Sequence, residues 1–169
     1  MSVNAAPQPD PSLIGIYLND HLTGATAGLE LFRRATGAHR GTEAGPVLER
    51  LTAEVESDKD SLLAIMRALG VPVRQYKLVG AWAAEKVGRL KPNGRLLSRS
   101  PMSSVVELEG LHLGVLGKAS GWRLLRSLAD SEPRLDPAEL DRLLDRAQRQ
   151  AEELDALRLR AGREAFAAG

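Results

Sequence analysis

Asp58 stands where an acid is out of place. Leu48, Leu51, Val55, Leu62, Ile65 and Leu69 recur as one apolar helical face, and at about 100° per residue Asp58 falls in the middle of it. A carboxylate there needs a cation, a metal ion or hydrogen-bond donors, or it must stay protonated or sit in a wet gap, because burying an unpaired charge costs several kcal/mol. Glu54, one turn earlier, lies at the edge of the same face. Two other helical faces carry imidazoles: His21 flanks the stripe of Leu18 and Leu22, beside Tyr17 and Gly28, and His112 falls inside the stripe of Leu108, Leu111 and Val115, with Glu107 and Glu109 on opposite edges. Glu109-Gly-Leu-His112 is a Glu-x-x-His, a spacing that turns an oxygen and an imidazole ligand to one side of a helix but that is also common in any charged helix. Two chemistries compete for these residues. In one, His21, Glu54, Asp58, Glu109 and His112 contribute to a metal site; in the other, Asp58 is held by a cation, for which Lys118, Arg123 and Arg158 are the inward-facing candidates. Arg158 is a poor metal neighbour and a good carboxylate partner, since its planar guanidinium can engage two oxygens. The ion pair is the preferred reading. His39, in Gly-Ala-His-Arg-Gly, is expected at a helix end, solvated or against terminal carbonyls, and Asp20 and Glu30 project away from the core.

Composition narrows the alternatives. The 169 residues contain no cysteine, which excludes disulfides, thiolate nucleophiles, Cys-ligated zinc and iron–sulfur clusters. A formal net charge of +1 gives no global pull toward nucleic acid or anionic membrane. The opening MSVNAAPQPDP lacks the features of a signal peptide, and no uncharged apolar run approaches the roughly 18 residues of a spanning helix, so the expected location is the cytoplasm, without a transmembrane segment.

Positioning these side chains requires helices. Alternation is absent, β-branched residues are sparse and the Ala/Leu/Glu/Arg content favours helix, so the fold class is all-α. Residues 1–11, with three prolines, read as a flexible N-terminal arm ahead of a single domain over 12–169. Helix one runs from Ser12 to about Thr36, and helix two from Gly45-Pro46 to Gly70. Helix three spans about Ser103 to Ala129, and helix four opens at Asp136-Pro137-Ala138-Glu139, a capping sequence, and continues to Phe166. Between helices two and three lie Val71 to Met102, too long for the turn that usually joins antiparallel neighbours, and expected to form a helix of its own at about Tyr76 to Leu90 with Val79, Trp82, Ala83, Val87 and Leu90 on its face.

A four-helix bundle with one long helical crossover between helices two and three is the ferritin-like layout. Through GIYLNDHLTGATAGLEL, LTAEVESDKDSLLAIMRALGV, KLVGAWAAEKVGRLKPNGRLL and VVELEGLHLGVLGKASGWR, the chain resembles the ferritin-like superfamily, in particular uncharacterised ferritin-like-fold proteins of actinobacteria, over residues 12–166. The resemblance implies a di-metal site of carboxylates and two Glu-x-x-His pairs in the bundle core. This sequence departs from that pattern: Ser57 stands where the histidine after Glu54 would fall, and helix four has no Glu-x-x-His. The expected cofactor is therefore none, with iron or manganese and an oxidoreductase or peroxide-handling activity as the alternative.

Gly110, Gly114, Gly117 and Gly121 form a strip on helix three, and Gly24 and Gly28 a shorter one on helix one. Each interior glycine disfavours helix by about 1 kcal/mol relative to alanine, so the strips are expected to let helices one and three pack tightly, or else to face a partner subunit or a flat ligand in an apolar pocket bordered by Trp122. Charge is also segregated. The crossover carries Arg74, Lys77, Lys86, Arg89, Lys91, Arg95 and Arg99 against Glu85 alone, while residues 130–155 are acidic. The expectation is a non-catalytic bundle acting through self-association, as a homo-oligomer and most simply a dimer, or by binding an acidic protein partner through Arg74, Lys77, Arg89, Lys91 and Arg95, with no nucleic acid involved.

Overall fold

A computed structural model describes residues 11–74 and 101–167. These form four helices and no strand: α1 (Pro11–Ala38), α2 (Gly45–Ala68), α3 (Pro101–Leu128) and α4 (Pro137–Ala167). The expected crossover helix, and with it Lys77, Lys86, Arg89, Lys91, Arg95 and Arg99, lies outside the described residues. Among the described residues no helix is long and apolar enough to cross a membrane.

Local chemistry sets the helix ends. Asp136 caps α4, its carboxylate accepting from the N–H of Ala138 at 2.9 Å and of Glu139 at 3.3 Å. After α2, Gly70 takes φ 71°, which lets the Val71 N–H donate back to the Met66 carbonyl at 2.8 Å and turns the chain out of the helix. Asn19, buried on α1, then fastens the exiting segment: its amide donates to the Pro72 carbonyl at 3.1 Å and its oxygen accepts from the Arg74 N–H at 2.7 Å. The α3–α4 loop is clamped by Arg134, which pairs with Glu132 at 2.6 Å and holds that carboxyl at a pKa of about 2.

Every neighbouring pair of helices is antiparallel. Thr36 meets Thr52 and Arg33 meets Glu56 between α1 and α2; Arg126 meets Asp141 and Arg158 meets Glu109 between α3 and α4. Between α1 and α3 the matched pairs are His39 with Glu107 at one end and His21 with Gly121 at the other, and between α2 and α4 they are Arg50 with Glu153 and Glu54 with Gln150. It follows that α2 and α3 are parallel and diagonal, so the end of α2 and the start of α3 lie at opposite ends of the bundle. One core joins all four helices, with Leu18, Leu48, Leu51, Met66, Leu108, Leu125, Leu140 and Leu154 fully buried.

Candidate functional site

The buried acid has the partners its position demands. Asp58 is 1% exposed, and Lys118 of α3 and Arg146 of α4 pair with its two oxygens. Gln150, fully buried on α4, ties the group together: its amide donates to Glu54 at 2.9 Å and to Asp58 at 3.3 Å, while its oxygen accepts from Lys118 Nζ at 2.5 Å. Glu54 is held in turn by Arg50 at 2.9 Å. Burial alone would raise the Glu54 pKa, but the bonds from Gln150 and Arg50 bring it below the usual carboxylate value. The Lys118 pKa is also lowered, here by burial, with Asp58 opposing and Arg146 assisting. Arg146 meets Asp58 by charge rather than through an aligned hydrogen bond, and its Nε has no acceptor among the described residues.

Of the expected cation partners, only Lys118 reaches Asp58. Arg123 is exposed, because its side chain leaves α3 on the far side from the Leu111 and Leu125 face. Arg158 lies on the core side of α4 but one turn beyond Leu154, where it pairs with Asp155 at 2.7 Å and approaches Glu109 at 3.8 Å. The proposed metal ligands are dispersed. His21 packs tilted against Tyr17 with ring centroids 4.4 Å apart, Glu109 is exposed, and His112 is half-buried on α3. Among the described residues no group of three or more His, Asp or Glu side chains comes together in a way that could hold a metal ion. His39 also departs from expectation: it is buried, with Nε2 3.2 Å from the Glu107 carboxylate, because the end of α1 abuts α3 instead of ending in solvent.

The glycine strips overturn the expectation of tight packing. Among the described residues, a Cβ added at Gly24, Gly28, Gly110, Gly114 or Gly117 would meet nothing within 4 Å. Only Gly121 is a close approach, with its Cβ position 2.9 Å from the His21 ring. The two helices therefore touch at the His21–Gly121 end and the His39–Glu107 end, and part between them. The gap is a cavity of about 560 Å³, walled by the glycines and floored by side chains such as Phe32, Val55, Leu62, Leu111, Val115 and Trp122. Its lining is mostly apolar, and Asp58 and Lys118 border its inner side. Tyr17, His21, Asp20 and Lys59 add to the polar lining, which sets two acids against two lysines, so the walls carry no strong net charge. Trp122, 3% exposed, has an indole N–H without an acceptor among the described residues.

Gln150 and Arg146 were not anticipated as members of the polar cluster. Gln150 is three residues after Ala147 and four before Leu154, so the apolar period already placed an amide on the inner face. Compared with family models, with curated proteins and with solved structures, the chain matches none.

Proposed function

We propose that this chain is a non-catalytic binding protein for a small, flat, predominantly apolar organic molecule, held in the groove between α1 and α3. The observation that carries the reading is the open space beside Gly24, Gly28, Gly110, Gly114 and Gly117. Glycine inside a helix is normally offset by close backbone approach, and here no atom of the described residues approaches. Two smooth backbone walls facing each other across an apolar floor suit a planar molecule, and 560 Å³ falls within the usual range for small-molecule sites. Calorimetric titration with 2-naphthylmethanol tests it. Saturable one-to-one binding is expected, weakened about tenfold or more by Gly114→Leu, whose side chain would fill the groove. Equal binding by both proteins would overturn the assignment.

A second observation supports self-association of a ferritin-like bundle. The antiparallel neighbours and the diagonal, parallel α2 and α3 agree with that topology, and the outer face of α3 exposes Met102, Val106, Leu113, Leu116 and Leu124 together. The occupant that fits is a second copy of the chain: a two-fold antiparallel pairing centred on Leu116 sets exposed Glu109 opposite exposed Arg123 of the other copy. Sedimentation of the full chain should give a dimer that Leu113→Glu converts to monomer; a monomeric parent protein would remove this reading.

A further inference from the structure

Asp58 is a single buried acid with two cations, and they approach it from different surroundings. Arg146 comes from α4 and does not border the groove; Lys118 comes from α3, borders the groove and keeps 16% of its side chain exposed. Neutralising a buried acid requires one cation, and a guanidinium is permanently charged, so Arg146 meets that need alone. Lys118 is thus an amine that can change its chemical state without leaving Asp58 uncompensated. Burial, opposed by Asp58 and assisted by the Arg146 guanidinium, lowers its pKa from the ordinary lysine value, which raises the share of the neutral, nucleophilic form.

We infer that the groove binds a planar, apolar aldehyde and that Lys118 joins it covalently as an imine, with Asp58 as the counterion. This rests on the groove reading and names the ligand class within it. In the step, Lys118 gives up its ammonium proton to solvent, and the freed electron pair on Nζ attacks the carbonyl carbon. The carbon–oxygen π bond shifts to oxygen, giving a carbinolamine. That oxygen takes one proton from the nitrogen and one from solvent, which returns the proton the ammonium gave up, and departs as water while the nitrogen electron pair forms the carbon–nitrogen double bond, leaving a protonated imine. The balance is amine plus aldehyde giving imine plus water, with nothing oxidised or reduced. When protonated, the imine carries the same single positive charge that the ammonium carried, so Asp58 faces a cation before and after, and Gln150 Oε1, 2.5 Å from Nζ, remains an acceptor for its N–H. The apolar floor limits the access of water that hydrolyses imines.

The test compares two probes of one shape on the full chain. The protein is incubated with 2-naphthaldehyde and sodium cyanoborohydride, and the reduced adducts are mapped by peptide mass spectrometry over the five lysines, Lys59, Lys77, Lys86, Lys91 and Lys118. 2-Naphthylmethanol, which cannot form an imine, is titrated in parallel. The expected result is a predominant adduct at Lys118 that excess 2-naphthylmethanol suppresses and that Lys118→Arg abolishes, with the variant's helical circular dichroism intact. Binding of the alcohol together with adducts spread evenly over the lysines, or absent from Lys118, overturns the imine while leaving the groove. Failure of the unsubstituted protein to bind the alcohol overturns the groove reading itself.

Discussion

On its α4 side, α3 is closely packed and crossed by charge pairs such as Arg126 with Asp141 at 2.8 Å; on its α1 side, Gly110, Gly114 and Gly117 look onto open space. One helix thus builds both a filled interface and a hollow one, and the residue types differ accordingly. Toward the filled core it gives Leu108, Leu111 and Val115, whose burial drives association, and Lys118, whose charge is absorbed by Asp58. Some of these also floor the hollow, but the wall that α3 turns toward α1 is made of glycines. The contrast separates two uses of glycine that look identical in a sequence: Gly121 lets a ring approach, and the others keep a volume empty.

The filled side should be the more fragile. Asp58→Ala leaves Lys118 and Arg146 buried without their acid, and breaking a buried pair by removing one member costs about 3–5 kcal/mol. Urea unfolding should show a loss of that order. A loss under about 1 kcal/mol would mean that the cluster is already solvated and that the contrast between the two sides is false.

The two uses of glycine predict effects of opposite sign. Gly121→Ala drives a methyl group into the His21 ring, an overpacking that costs about 1–3 kcal/mol. Gly114→Ala and Gly117→Ala add a methyl group to open space and remove a poor helix former, so each should stabilise the protein by about 0.5–1 kcal/mol. Thermal unfolding of the three variants should place Gly121→Ala below the parent and the other two above it. If all three fall below, the groove is occupied by packing and the space beside the glycines is not open.

The sequence made some of this legible and hid the rest. Apolar period and capping residues located all four helices, because those signals are local: Asp136 caps α4 and Gly70 terminates α2 as expected. Asp58 was legible for the same reason, since an acid inside a stripe of leucines announces a partner. Lys118 was among the expected cations, but the second one was not legible, because Arg146 and Arg158 both border the inner face of α4 and only their height along the bundle separates them. The glycine strips were visible, but a strip states only that side chains are missing. Whether a neighbour fills the space depends on how far α1 and α3 stand apart, and the His39–Glu107 contact at one end of that gap joins residues 68 positions apart in the chain.

The smallest expected effect lies where the groove closes. Burial lowers the His21 pKa from its ordinary value of 6.5, with Asp20 opposing from the neighbouring position, so the folded state favours the neutral ring that sits between Tyr17 and Gly121. Because the folded pKa is the lower one, the unfolded chain takes up its proton first as pH falls. The contribution of His21 is therefore fully present above 6.5 and is lost as pH drops from there toward the folded value. Glu132 titrates near 2, well outside this window. The stability difference between the parent and His21→Gln, measured by urea unfolding, should be constant above about pH 7 and shrink steadily toward about pH 5, while groups common to both proteins cancel. A difference that stays flat across that range would place the His21 ring in solvent, and the α1–α3 contact at Gly121 would then have no closing side chain.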